Sequence, residues 1–286
     1  MNLADLVGES AARLEEAGVT FGQGTTDAIQ EATWIAASVL GVSWDAIRAM
    51  LDDAVSPAHR RAVRALIEAR IATRKPAAYL LHEAWLGPHR FYVDERVLVP
   101  RSFIFELLEG RALRTDGSHV LDLCTGSGCL AIVAALAFPQ ARVDAADISE
   151  DALAVARRNV ADYRLKGRVR LVQSDLLAGL AGRRYDLIVS NPPYVKAASM
   201  RRLPEEFRRE PGLALASGSD GLDHTRRIIA NARAHLNPGG VLVVEIGHNR
   251  RALEKAYPRL PFEWPATSAG PGYVFTLPRE ALPEAR

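Results

Sequence analysis

A chain of 286 residues that is 48% hydrophobic and 24% charged has the profile of a folded globular protein, and its formal net charge is only +2. These figures exclude a disordered chain, a fibrous repeat and a disulfide-stapled miniprotein, and they leave no global basic field to advertise nucleic acid. No apolar run approaches the ~18 residues that span a bilayer. The longest, Cys129 to Phe138, stops at Pro139. Asp5 and Glu9 stand where a secretion signal would carry positive charge, so the expected location is cytoplasmic, with no membrane partner. Cys124 and Cys129 flank a glycine-rich turn at a spacing that suits neither a zinc site nor a redox pair. Two reduced, mostly buried thiols and no metal are expected.

The first third is predicted to be helical. Apolar residues recur at three and four in Leu3-Leu6-Val7 and in Ile29-Thr33-Trp34-Ala37-Leu40, punctuated by Gly18, Gly22, Gly24 and Gly41. Ser56-Pro57 marks a helix start, with serine capping and proline at the first helical position, and that helix should run to about Thr73, before Pro76. Charge is uneven here. Nine acids face Arg13 and Arg48 through Val55, whereas Ser56 to Pro76 holds Arg60, Arg61, Arg64, Arg70, Arg74 and Lys75 against Glu68. A solvated helix face and a contact with an anionic partner such as RNA are the two readings of that run.

From Tyr79 to Pro100, Trp85, Phe91, Tyr92, Val93 and Val97-Leu98-Val99 alternate with turn residues and suggest a hairpin connector. Arg101-Ser102 should open a helix through about Leu113. Regular alternation follows, with predicted strands at Val120–Leu123, Arg142–Ile148, Val169–Ser174, Tyr185–Ser190 and Val241–Ile246. Helices are expected at Gly128–Phe138, Asp151–Tyr163 and Leu222–Leu236, and a last strand pair near Phe262 and Tyr273–Leu277. Strands joined by helices of this length predict an α/β fold, a parallel sheet covered on both faces, with an antiparallel pair at the end.

Four motifs carry chemistry. Leu121-Asp122-Leu123-Cys124-Thr125-Gly126-Ser127-Gly128 lies where the first strand of the sheet turns into a helix, so its backbone can approach a ligand closely. Taken alone it also satisfies a loose dinucleotide fingerprint, or a tight turn with no ligand. Asp147 ends the second strand, nineteen residues beyond Gly128, where a carboxylate can accept both ribose hydroxyls of an adenosyl ligand. Ser149 is available to cap the following helix in its place. Asp175 after the third strand can accept from an exocyclic adenine amine while Leu176 packs on the ring. The fourth motif, Asn191-Pro192-Pro193-Tyr194, discriminates most. Two prolines freeze the backbone and remove amide donors, so an asparagine oxygen and a proline carbonyl can receive both hydrogens of a planar NH2 group, with the tyrosine ring on its flat face.

In this order the motifs resemble a class I Rossmann-like S-adenosylmethionine-dependent methyltransferase. The whole chain is similar to the HemK-like protein-(glutamine-N(5)) methyltransferases. That resemblance implies a helical substrate-binding domain over 1–78, a β-hairpin linker over 79–100 and a catalytic domain over 101–286. It implies S-adenosylmethionine as cofactor, held by Asp122, Thr125, Gly126, Ser127, Gly128, Asp147, Asp175, Leu176 and Asn191. Asn191, Pro192, Pro193 and Tyr194 would hold the substrate amide. The family has a branch acting on release factors and a branch acting on large-subunit ribosomal protein L-three. The stretches Phe91 to Ser102, Glu205 to Pro211 and Leu213 to Asp223 resemble the latter, which implies a ribosomal protein substrate with ribosomal RNA nearby. Phe103 stands where a proline is usual, and Cys124 replaces a common glycine. An amino-methyltransferase acting on nucleic acid is the nearest rival, because the same tetrapeptide can grip a flipped base. An NAD-linked oxidoreductase would leave Asn191 to Tyr194 without a role, and His82, His224 and His248 are assigned none.

Overall fold

The computed structural model describes residues 1–110, 113 and 118–284. Its first elements are α1 (Leu3–Glu16), α2 (Ala28–Leu40), α3 (Trp44–Ala49), α4 (Pro57–Thr73) and α5 (Ala77–Leu81). Their ends are chemically specified. Asn2 and Asp5 form a reciprocal capping box on α1, and the Asp27 side chain accepts from the Gln30 amide to start α2. Ser56 Oγ accepts from the His59 amide at 3.2 Å, as its place before Pro57 predicts. Leu3, Leu6 and Leu14 of α1 bury against Ala32 and Ile35 of α2 and Val63 and Ile67 of α4, forming one apolar cluster.

The basic run on α4 is not one solvated face. Arg70 is only 1% exposed, donates to Glu31 Oε1 at 2.8 Å and to the Thr20 carbonyl at 3.0 Å, and lies 3.8 Å from Glu206. Arg74 spans the carbonyls of Ala17 and Gly18 and the Glu206 carboxylate. Periodicity cannot separate such a buried arginine from its exposed neighbours, because both follow the helical repeat.

The connector holds a short hairpin, β1 (Ala84–Leu86) and β2 (His89–Phe91), and α5 crosses the 78/79 boundary expected from sequence. Gly87 turns the hairpin at φ +57°, and a Cβ there would lie 2.0 Å from the Phe105 ring. Only glycine fits. The next helix, α6 (Ile104–Glu109), starts later than predicted because Ser102 Oγ and the Phe103 amide are both held by Glu245. Part of its expected end lies outside the described residues.

The rest forms a six-stranded sheet in the order β5-β4-β3-β6-β7-β8. These strands are β3 (His119–Leu123), β4 (Arg142–Asp147), β5 (Val169–Gln173), β6 (Tyr185–Ser190), β7 (Leu236–Glu245) and β8 (Val274–Pro278). The first five run parallel, and β8 pairs antiparallel with β7 from Val241↔Pro278 to Glu245↔Val274. Val120, Val143, Leu187 and Val243 point to the face covered by α6 and α7 (Cys129–Ala137), with Val160 of α8 (Glu150–Asp162) in the same cluster. Leu121, Leu123, Ile188 and Val244 point to the opposite face, under α10 (Asp223–Ala232) and α11 (Arg250–Ala256), which follow the short α9 (Ala197–Met200) along the chain. Burial on both faces makes apolar residues dominate the strand centres, as in Leu187-Ile188-Val189 of β6.

Two features depart from expectation. The segment at Phe262 is no strand and contributes one bridge, Glu263↔Thr276, so the antiparallel partner of β8 is β7. Strand β7 begins at Leu236, ahead of the predicted Val241, with a register shift where Asn237 to Gly240 bulge between two paired stretches.

The Arg70–Glu31 pair generates a stability prediction. Removing one partner of a buried ion pair strands the other charge, which costs about 3–5 kcal/mol. Arg70→Met should therefore lower the urea unfolding free energy by that amount, and a loss below about 1 kcal/mol in equilibrium denaturation would show that the pair contributes little.

Candidate active site

The site forms at the carboxyl ends of β3, β4, β5 and β6. After Leu123 the chain turns through Cys124 at φ +59°. An L-residue adopts that conformation only under strain, which fits the glycine that the family resemblance leads one to expect here. Asp122 stitches the turn from below, with Oδ2 accepting from Thr125 Oγ1 at 2.5 Å and from the Ala131 amide at 3.0 Å. Burial pushes its carboxyl up to about 7. Gly128, at φ +80°, lets α8 approach: a Cβ there would sit 3.1 Å from Ala156 Cβ. Asn159 of α8 donates to the Ser127 carbonyl at 2.8 Å and exchanges two hydrogen bonds with the Tyr92 backbone, tying this turn to the connector.

Asp147 accepts from the Gly126 amide at 2.9 Å and from the Ser149 amide at 3.0 Å. Burial raises its pKa above the ordinary carboxylate range. Ser149 Oγ caps α8 by accepting from the Ala152 amide, so the aspartate is not consumed as a cap. Asp175 is exposed and takes Arg227 Nη2 at 2.8 Å, and that guanidinium holds its carboxyl below the usual range. Leu176, buried at φ +52°, is held by Ser174 Oγ donating to its carbonyl.

At the end of β6, Ser190 Oγ donates to the Leu123 carbonyl and closes the two strand ends together. Asn191 Nδ2 donates to the Arg101 carbonyl at 3.1 Å. Its Oδ1 is buried and has no hydrogen-bond partner among the described residues. Arg101 is itself clamped, donating through both terminal nitrogens to Glu210 at 2.8 Å each, while Glu210 Oε1 also accepts from the Val99 amide at 3.0 Å. The Tyr194 ring lies over Gly247, where a Cβ would come within 2.8 Å, and its carbonyl accepts from Asn249 Nδ2. Burial pushes the Tyr194 hydroxyl up to about 12.

Of the residues singled out from the sequence, Gly126, Asp147, Asp175, Leu176, Asn191 and Pro193 line one cleft of about 230 Å³. Asp122, Thr125, Ser127, Gly128, Pro192 and Tyr194 do not line it; they shape the turns behind it.

Residues 103–219 match the methyltransferase small domain family, and residues 5–81 match the PrmC N-terminal domain family. The chain is 53% identical to the ribosomal protein uL3 glutamine methyltransferase of Neisseria meningitidis serogroup B, covering 98% of this chain and 94% of that protein. It is 48% identical to the protein of that name from Burkholderia pseudomallei, covering 98% and 95%. The chain belongs to the ribosomal protein uL3 glutamine methyltransferase family. A methyltransferase from Pyrococcus furiosus shares the fold, at a TM-score of 0.50 and 20% identity over 74% of this chain and 97% of that one.

The methyl donor of this family is S-adenosylmethionine. The residues present suit it. A partly buried carboxylate, an apolar leucine and an acceptor oxygen without a partner face one cleft, as a ribose, an adenine and the reacting end of a methylation site require. Sequence reasoning gave no role to Arg101, Glu210 or Asn159, which position the site, nor to Arg96, Leu98, His224 and Arg227, which line the cleft. Both ends of the clamp lay in stretches read as family likeness, Arg101 in Phe91 to Ser102 and Glu210 in Glu205 to Pro211. The two are 109 positions apart, and no local pattern pairs them.

Asp122 and Glu245 generate a pH prediction. Burial pushes both carboxyls up to about 7, well above the ~4 of an unfolded chain. Their contribution to stability is full below about pH 4 and is lost as pH climbs through 7. Asp122→Asn and Glu245→Gln should each flatten part of the fall in the urea midpoint between pH 5 and pH 7. A fall of unchanged steepness in both variants would assign the dependence elsewhere.

Proposed function

We propose that this protein transfers the methyl group of S-adenosylmethionine to the side-chain amide nitrogen of a glutamine in ribosomal protein uL3, in the cytoplasm where that protein is made. The relatives named for uL3 favour this substrate over a release factor. The observation that carries the reaction is the buried, unpartnered Asn191 oxygen at the edge of the cleft.

A carboxamide nitrogen is a poor nucleophile because its lone pair is delocalised into the carbonyl. Asn191 Oδ1 accepts one of its hydrogens and the Pro192 carbonyl, behind the cleft wall, would take the other, which aims the lone pair at the methyl group in line with the sulfur. Tyr194 bounds the flat face of the amide. Bound S-adenosylmethionine supplies an electrophilic methyl group on a sulfonium. Nitrogen–carbon bond formation is matched by carbon–sulfur cleavage, and the N-methylated amide cation is acidic enough to lose its proton to water. Positioning of this kind is worth on the order of 7–11 kcal/mol in a two-body reaction. Asp147 accepts from the ribose, while Asp175 and Leu176 bound the adenine. Gly126 brings backbone close to the cofactor, and Asp122, Thr125, Ser127 and Gly128 hold that turn in shape. The helical part, 1–78, and the linker, 79–100, present the protein substrate to the catalytic part, 101–286.

Asn191→Ala should reduce methyl transfer to uL3 by about a hundredfold or more, as losing one preorganised hydrogen-bonding group does, with S-adenosylmethionine affinity only modestly weaker. Wild-type turnover in that variant would reduce the tetrapeptide to a rigid turn. Asp147→Ala removes charge-assisted hydrogen bonds of ~1.5–3 kcal/mol each, so S-adenosylmethionine should bind at least about tenfold more weakly by calorimetry. Unchanged affinity would take Asp147 out of the cofactor site.

A further inference from the structure

A second and larger cleft, about 470 Å³ against about 230 Å³ for the first, opens at the opposite end of the sheet. It lies where β4, β5 and β6 begin, and Asp147 at the far end of β4 is about 17 Å away at the rise of a strand. Its lining carries Arg142, Lys166, Arg168, Arg170, Arg183 and Arg184, against the single acid Asp144.

Part of this lining is held in place. Asp144 accepts from Arg170 Nε at 2.9 Å, Arg183 Nη1 at 3.0 Å and the Tyr185 hydroxyl at 2.7 Å. Arg168 donates to the carbonyls of Ala135, Phe138 and Ala141 at the end of α7, which fixes its guanidinium without neutralising it. Arg142 and Lys166 are exposed and make no side-chain hydrogen bond or ion pair among the described residues. One carboxylate among six cations leaves a concentrated positive field on a chain whose net charge is only +2. The strands that carry it span about 14 Å at the spacing of neighbouring strands, more than a single free phosphate occupies. Arginine forks suit phosphate oxygens.

We propose that this cleft binds the phosphate backbone of RNA, so that the enzyme engages its ribosomal protein substrate together with RNA. The choice of RNA as the polyanion rests on the substrate reading given above, but the field and its geometry do not. Half-buried Arg60 and exposed Arg61 on α4 are the competing basic surface.

The test is fluorescence anisotropy of a short labelled single-stranded RNA against the full-length protein over a salt series. The R142E/K166E variant should bind about tenfold or more weakly, with the slope of log affinity against log salt shallower by about 1.4 for two lost phosphate contacts. R60E/R61E should bind RNA like wild type, and R142E/K166E should methylate isolated uL3 at the wild-type rate. No RNA binding by wild type, equal weakening in the two variants, or polyglutamate competing as well as RNA at equal charge would each overturn the proposal. Failure of wild type to methylate uL3 would instead strike the substrate reading and leave the binding result standing.

Discussion

The acceptor end of the cleft depends on which way one amide faces. A carbonyl can only accept, so the contact with Arg101 obliges Asn191, a residue of the cleft wall, to commit its NH2 there and leaves Oδ1 buried without a partner among the described residues. Leaving that oxygen buried without a donor costs about 1–3 kcal/mol. The surroundings hold it there. Pro192 and Pro193 fix the backbone, Ser190 locks the strand end to β3, and the Glu210 fork keeps the Arg101 main chain in place. The stored cost is released when a donor arrives, which makes the orientation useful to a reaction that must grip an NH2 group.

The same clamp joins the two halves of the molecule. Glu206 and Glu210 sit four positions apart on one loop, both with side chains almost wholly buried. Glu206 accepts from the Thr20 amide and from Arg74, and its carbonyl accepts from Gln23. Glu210 holds Arg101 and Val99. One end of the loop thus reads the position of the helical part, and the other sets the acceptor asparagine. Buried carboxylates tolerate little displacement, because each lost contact leaves a charge in a medium that solvates it poorly.

The fold was legible where local chemistry and burial agree. Ser56 and Ser149 were visible as caps because the helices they start follow them directly, and β6 was visible from its apolar run Leu187-Ile188-Val189, whereas Asp122 and Asp144 interrupt β3 and β4. Helix α11 was not visible: it is seven residues long and buries only Leu253, too little to print a helical period. The bulge that starts β7 early hides in Asn237-Pro238-Gly239-Gly240, which reads as a turn. At the site, the cleft residues at strand ends, such as Gly126, Asp147, Asp175 and Asn191, could be read from the sequence. Arg70 and Arg101 could not, because their roles depend on acids brought near only by folding.

Charge is distributed unlike at the two ends of the sheet, and the contrast has a chemical reason. Around the reacting end every arginine is matched: Arg96 by Asp94, Arg101 by Glu210 and Arg227 by Asp175. Methyl transfer begins from a sulfonium, and an unmatched cation beside it would oppose cofactor binding. At the other end Arg142 and Lys166 have no acid partner among the described residues. The ~17 Å along β4 exceeds the ~8 Å over which exposed charges are felt at physiological ionic strength. A polyanion could therefore be drawn to one end of the sheet while the field at the acceptor amide stays set by Asn191, the Pro192 carbonyl and the matched pairs around them.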